Sequence, residues 1–198
     1  MADVDASLVK DLRVKTGAGF MDCKKALEQA QGNLEKAIEY LRKKGLSDAA
    51  KRSERSVNQG VVNSYIHGGG KIGVLVEINC ETDFVARNEK FQELVKNVAM
   101  HVAAANPLYL DSTSIPPEVL EKEREIFRDQ AKESGKPANV LDKIVEGKVK
   151  KYYSEVCLLE QPYVKDPGKK VDDILKEAIS IIGENIKVRR FVRFALGQ

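Results

Sequence analysis

Little in this sequence suits metal or covalent chemistry. It has two histidines and three cysteines in 198 residues. Cys23, Cys80 and Cys157 are odd in number, far apart and form no CxxC pair. With only His67 and His101 as companions, they exclude a zinc finger and a dense disulfide scaffold. Each cysteine falls at an apolar position of a periodic segment, so each is expected as a reduced, buried thiol. HExxH and GxSxG are absent, and no cysteine sits near a histidine in an interpretable motif, so no enzyme activity, cofactor or bound metal is expected. There is no uninterrupted apolar stretch of about 18 residues and no basic N-terminus followed by an apolar run, which points to a soluble, cytoplasmic protein off the membrane. An excess of one charge is lacking too. Lys and Arg number 33 against 30 Asp and Glu, and they are interspersed. Whole-chain charge therefore gives no pull toward nucleic acid.

Periodicity is what the chain does have. Its first 45 residues read as three short helices. Leu8 and Leu12 share a face of the first, which starts near Asp5 or Ser7 and stops at Thr16-Gly17-Ala18-Gly19. Cys23, Ala26, Leu27 and Ala30 recur at helical spacing in the second, with Asp22 placed to cap it and Gly32 to end it. Asn33 caps the third, Leu34, Ala37, Ile38 and Leu41 form its stripe, and Gly45 follows as a terminating glycine. Helices this short are marginal alone, so they must pack on one another as a separate module. Residues 47–60 are polar and suit a helical extension or a linker. The expected domains are therefore 1–55, three helices and linker, and 56–198, an α+β core.

In that core, residues 61–66 and 71–80 flank His67-Gly68-Gly69-Gly70, and Ile72, Val74, Val76, Ile78 and Cys80 alternate onto one face. This predicts a β-hairpin with one buried side. The glycines lack the GxxxxGK[ST] or GxGxxG context of a phosphate loop. A helix opened by Asn88 carries Phe91, Leu94, Val95, Val98, Val102 and Ala105 on one stripe, with His101 beside it as a packed side chain or, less simply, a ligand. Pro116-Pro117 starts a charged helix, Ser134 to Pro137 breaks it, and a second runs from about Ala138 to Leu159. Leu120, Phe127 and Ala131 against Leu141, Ile144, Val145, Tyr152 and Val156 predict an antiparallel helical hairpin over 116–159. A loop over 161–170 leads to a helix displaying Val171, Ile174, Leu175, Ala178 and Ile182. Residues 188–196 read as a strand completing a three-stranded antiparallel sheet. Arg189, Arg190 and Arg193 there are either its solvent-facing side or an RNA patch.

Cys80-Glu81-Thr82-Asp83-Phe84-Val85-Ala86-Arg87-Asn88 is the unusual segment. Two accounts stand. In one, Thr82 or Asp83 caps a helical turn and Phe84 fills the core. In the other, a rigid strand presents an aromatic wedge and a carboxylate to a partner's cleft.

Arg13-Val14-Lys15-Thr16-Gly17-Ala18-Gly19-Phe20-Met21-Asp22-Cys23-Lys24-Lys25-Ala26-Leu27 resembles the N-terminal signature of the elongation factor Ts family, and residues 74–88 resemble its second signature. The likeness extends through residues 99–104 and Gly135-Lys136-Pro137 to Phe191-Val192-Arg193-Phe194, in the family's order. It implies a ubiquitin-associated-like N-terminal module docking on elongation factor Tu, with Leu12, Val14, Thr16, Gly17, Ala18, Met21, Cys23 and Lys24 as interface candidates. Leu12 and Cys23 also suit core packing. The resemblance further implies that Thr82, Asp83, Phe84 and Val85 insert beside the partner's magnesium, with Phe84 as the wedge, and promote GDP release. Longer members duplicate the half-core. This sequence has one copy, which implies a homodimer bound to two partner molecules, and it has no cysteine near its C-terminal strand to bridge such a dimer. The rival functions are a non-catalytic adaptor or RNA-associated module, and a thiol enzyme using Cys80.

Overall fold

The computed structural model describes residues 4–133 and 138–198. The protein is α+β and forms two compact units, one of Met1–Val62, Glu77–Val95 and Asp173–Arg189, the other of Asn63–Val76, Lys96–Asp172 and Arg190–Gln198. The described residues include a three-stranded antiparallel sheet. Its strands are β1 (Gln59–His67), β2 (Ile72–Cys80) and β5 (Ile186–Ala195), with β2 central. Val74, Val76, Ile78 and Cys80 of β2 are buried, as their alternation requires. The β1–β2 turn places Gly68, Gly69 and Gly70 at φ of 61°, 68° and 92°. Glycine reaches these angles without strain, and the segment serves as a hairpin turn.

In the first unit, helices α1 (Ala6–Thr16), α2 (Phe20–Gln29) and α3 (Leu34–Arg52) enclose a small core of Val9, Leu12, Cys23, Ala26, Leu27, Ala30 and Ala37. Asp5 caps α1 by accepting the Ser7 N–H at 3.0 Å, and Asn33 caps α3 by accepting the Lys36 N–H at 3.0 Å.

Two expectations fail here. The cap of α2 is Gly19; Asp22 lies inside the first turn, where a carboxylate still complements the free N–H groups, and it pairs with Lys44. Nor does Gly45 end α3, which continues to Arg52. Gly45 is buried in mid-helix, and a Cβ there would stand 2.9 Å from Ser180 Oγ of α8 (Val171–Ile182). Close approach explains this glycine. Its helix-propensity penalty, about 1 kcal/mol against Ala, is borne by packing rather than spent on a stop.

After β2 come a single turn, α4 (Asp83–Ala86), and a long helix, α5 (Glu89–Ala105), opened by Asn88, whose Oδ1 accepts the Lys90 N–H at 2.9 Å. The predicted stripe of α5 is buried from Phe91 to Val102.

In the second unit, α6 (Pro117–Glu133) and α7 (Ala138–Val156) form the helical hairpin. Ala131, Val145 and Val149 are buried in its seam, edged by Leu120, Phe127, Leu141, Ile144 and Tyr153. Tyr152 meets Phe127 across the hairpin as expected, ring edge to face with centroids 6.3 Å apart. The expected break at Ser134 to Pro137 lies outside the described residues. Helix α7 stops before Leu159 because Leu158 and Leu159 donate their N–H groups to Tyr109 O and Leu110 O. The expected loop over 161–170 contains a short antiparallel ribbon of β3 (Pro162–Tyr163) and β4 (Asp166–Lys170). On α8 it is Ile179, with Val171 and Leu175, that is buried rather than Ile182.

His101 is fully buried and both ring nitrogens are used. Nδ1 accepts the Val164 N–H at 3.2 Å, so the ring proton sits on Nε2, which lies 2.9 Å from Gln161 Oε1. Gln161 in turn donates to Glu155 O at 2.8 Å and Ala105 O at 3.4 Å. Burial holds the His101 pKa below its ordinary value. Above an unfolded pKa of about 6.5 the ring is neutral in both states; below it the unfolded chain takes up a proton that the folded chain resists, so stability falls. Urea unfolding midpoints are thus expected to drop between pH 7 and pH 5.5. His101→Asn, which keeps an acceptor but does not titrate, should be less stable at pH 7 and lose part of that slope. An identical slope in the variant would exclude His101 as its source.

Candidate functional site: an exposed turn and the N-terminal module

The segment after β2 forms the helical turn of the first account but leaves Phe84 outside the core. Thr82 is indeed a cap: its Oγ1 accepts the Val85 N–H at 3.3 Å at the start of α4. Phe84 does not fill the core. It is 81% exposed, while Ala86 of the same turn is buried. Burying a phenylalanine is worth roughly 1.5–3 kcal/mol, and here that gain is forgone.

The turn that carries Phe84 is held at many points. Thr82 O accepts the Ala86 N–H at 3.2 Å and the Cys80 thiol at 3.1 Å. The carboxylate of Glu184, just past α8, accepts the Thr82 hydroxyl at 2.7 Å and the Thr82 N–H at 3.0 Å. Gln92 of α5 donates to Ala86 O at 2.5 Å. Asp83 pairs with Arg87 one turn later, both substantially exposed, an interaction worth no more than about 1 kcal/mol. Nothing in the sequence pattern marks Glu184, which lies 102 residues from Thr82.

Cys80 offers no nucleophile. It is fully buried, and burial, with the Glu184 carboxylate second, pushes its thiol up to about 11, so almost no thiolate exists at neutral pH. Cys157 is pushed up to about 12, first by burial. Among the described residues no cluster of His, Cys, Asp and Glu could hold a metal ion, and no helix is long and apolar enough to cross a membrane. Of the β5 arginines, Arg193 donates its Nε–H to Ala103 O at 3.2 Å.

The N-terminal candidates divide by burial. Leu12 and Cys23 are wholly inside the three-helix core. Thr16 spends its hydroxyl on Leu12 O at 2.7 Å; Gly17 takes φ 66° to end α1; Ala18 packs on the core edge, and Lys24 is half-buried. Val14 (79% exposed) and Met21 (60%) project outward. Phe20, which sequence reasoning left out, is also exposed beside Met21. A Cβ on Gly17 would lie 3.5 Å from Ile181 Cδ1, and Lys90 Nζ approaches Gly17 O at 3.4 Å, so the α1–α2 turn packs against α8 and the start of α5 in the same unit as the Phe84 turn.

Comparison with known proteins gives a family. The elongation factor TS family model matches residues 24–198. The chain is 58% identical to elongation factor Ts of Geobacter sulfurreducens over 195 residues, 98% of this chain and 90% of that protein. It is 57% identical to that of Nitratidesulfovibrio vulgaris, covering 98% and 97%. With that of Caldanaerobacter subterraneus subsp. tengcongensis the identity is 58%, covering 98% of each. The α+β fold with its N-terminal helices and exposed turn is thus that of a translation elongation factor. More particularly, the chain belongs to the elongation factor Ts family.

Proposed function

We propose that this chain is a guanine-nucleotide exchange factor that binds elongation factor Tu, GDP-bound and nucleotide-free, and acts by binding alone, with no covalent chemistry of its own. The observation that carries this is Phe84, an aromatic side chain 81% exposed on a turn locked from several sides. A partner's GDP is held by its phosphate loop and a bridging magnesium, so entry of Thr82, Asp83, Phe84 and Val85 beside that ion weakens the neutralisation of phosphate charge. Phe84 is the wedge. Asp83, committed only to a weak pair with Arg87, is available to the partner's cations. The coupling is reciprocal: a factor that weakens nucleotide binding is itself expelled when nucleotide returns, so GTP enters where it is the more abundant.

Docking falls to the N-terminal module, residues 1–55, through Val14 and Met21 with Phe20 beside them. Thr16, Gly17, Ala18 and Lys24 shape that edge, and Leu12 and Cys23 support it from within. Val14→Ala with Met21→Ala is expected to raise the half-saturating concentration of factor about tenfold while leaving the saturating rate nearly unchanged, as loss of two exposed anchors should. A fall in the saturating rate alone would contradict this division of labour.

A homodimer bound to two partner molecules is proposed for the core, residues 56–198. Ile66, Leu75, Val192 and Phe194 are all exposed apolar side chains of the sheet. Ile66 lies against Gly73, Leu75 shares the Gly73 face by alternation, and Val192 and Phe194 flank Arg193, which turns to α5, leaving them on the opposite side. An apolar sheet face of this kind favours a second copy. The proposed site of action is the cytoplasm.

The test is release of labelled GDP from elongation factor Tu with substoichiometric protein. Acceleration with turnover is expected; its absence would end the proposal.

A further inference from the structure

Helix α8 closes on Gly183, at φ 90°, whose N–H returns to Ile179 O at 2.9 Å. That left-handed residue turns the chain back, and the next two residues hold the root of the Phe84 turn. Glu184 Oε2 accepts the Glu81 N–H at 3.1 Å and the Thr82 N–H at 3.0 Å, and its Oε1 accepts the Thr82 hydroxyl at 2.7 Å. In the reverse sense, the Asn185 N–H donates to Glu81 Oε1 at 2.6 Å. Asn185, 1% exposed, donates its side-chain N–H groups to Ser53 O at 3.3 Å and Arg55 O at 2.8 Å, in the segment that follows α3. All these residues lie in one compact unit.

The hydroxyl of Thr82 has one proton. With that proton given to Glu184, the hydroxyl is fixed in one rotation and its lone pairs are left for the Val85 N–H, so the carboxylate holds the cap that starts α4. A four-residue helix has no stability of its own, and what orients Phe84 is what orients Thr82. We infer that Glu184 is a positioning residue for nucleotide exchange, fixing the α4 turn so that Phe84 is presented in one orientation before the partner arrives. This rests on the exchange function proposed above. Without the carboxylate the turn must be ordered during each encounter, and that loss falls on the step in which Phe84 enters rather than on docking through the N-terminal module.

The experiment is GDP release from elongation factor Tu, titrated with the full-length wild type, Glu184→Ala, Glu184→Gln and Phe84→Ala. Glu184→Ala is expected to lower the saturating rate roughly tenfold, with the half-saturating concentration changed less than about twofold, in keeping with loss of hydrogen bonds to a charged acceptor. Glu184→Gln matches the shape and retains one acceptor, so it should recover part of the rate. It also keeps the test decisive if the alanine variant folds poorly. The Glu81 and Thr82 amides should exchange with solvent faster in Glu184→Ala. Saturating rates equal to wild type in both Glu184 variants, or a loss confined to half-saturation, would overturn the inference while Phe84→Ala remains defective. A wild-type rate from Phe84→Ala would remove Phe84 from the mechanism and this inference with it, whereas no acceleration by the wild type would overturn the exchange function itself.

Discussion

Phe84→Ala is expected to slow the saturating rate of GDP release from elongation factor Tu by roughly 30-fold or more, the factor that matches a hot-spot loss of about 2 kcal/mol. Folding should be almost untouched. The ring is 81% exposed, and substitutions at exposed positions away from caps and networks usually stay within about 0.5 kcal/mol. The turn beneath it is held by the backbone and hydroxyl of Thr82, by Glu184 and by Gln92, none of which needs the ring. This pairing of a large functional loss with an unchanged thermal midpoint separates a wedge from a core residue. Loss of stability in proportion to loss of rate would mean that Phe84 packs in solution. Unchanged release with unchanged stability would remove Phe84 from the mechanism.

Gly60→Ala should have the largest effect on stability. Gly60 takes φ 144° in β1, outside the range that side-chain-bearing residues adopt readily, and a Cβ there would fall 2.2 Å from Ile78 O and 2.7 Å from Asn79 Cα. Those atoms are backbone of the central strand and cannot swing aside as a side chain can. Asn79 fastens the same place by donating to Gln59 O at 3.2 Å. The expected loss exceeds about 4 kcal/mol, enough to lower the thermal midpoint by on the order of 10 °C or to leave the protein insoluble. Gly69→Ala is the control: it too has positive φ, but open space surrounds it, so only conformational strain of about 1–2 kcal/mol applies. Similar midpoints for the two variants would show that the contact with Ile78 is not what requires glycine at 60.

Local signals served well where one residue decides one bond. Asn33 and Asn88 were legible as caps, and Asp5 as one of two possible starts of α1, because a short acceptor before an amphipathic run has an N–H within reach. The alternation of β2 and the stripe of α5 were legible because burial on one face imposes a period. Asp22 and Gly45 were misread for the same reason that these worked. An acidic residue at a helix start and a glycine in a helix each have two uses, and the chain nearby does not say which applies. For Gly45 the answer lies at Ser180, 135 positions away; for Asp22 it lies at Lys44.

The exposed turn divides along the same line. Its neighbours left Thr82 and Asp83 as alternative caps, and the likeness of residues 74–88 to the elongation factor Ts family pointed to Phe84 as a wedge. Whether that ring was inside or outside depended on what lay across from it, and residue pattern alone favoured the core. By itself the sequence determined the helices, the hairpin, the α+β class and the family, since these rest on periodicity and on runs of adjacent residues. Only the tertiary structure decided that Phe84 faces solvent, that Glu184 grips the turn from the far end of the chain, and that Val14 and Met21 rather than Leu12 and Cys23 are presented. Exposure and long-range hydrogen bonds are properties of what packs opposite, and no local pattern carries them.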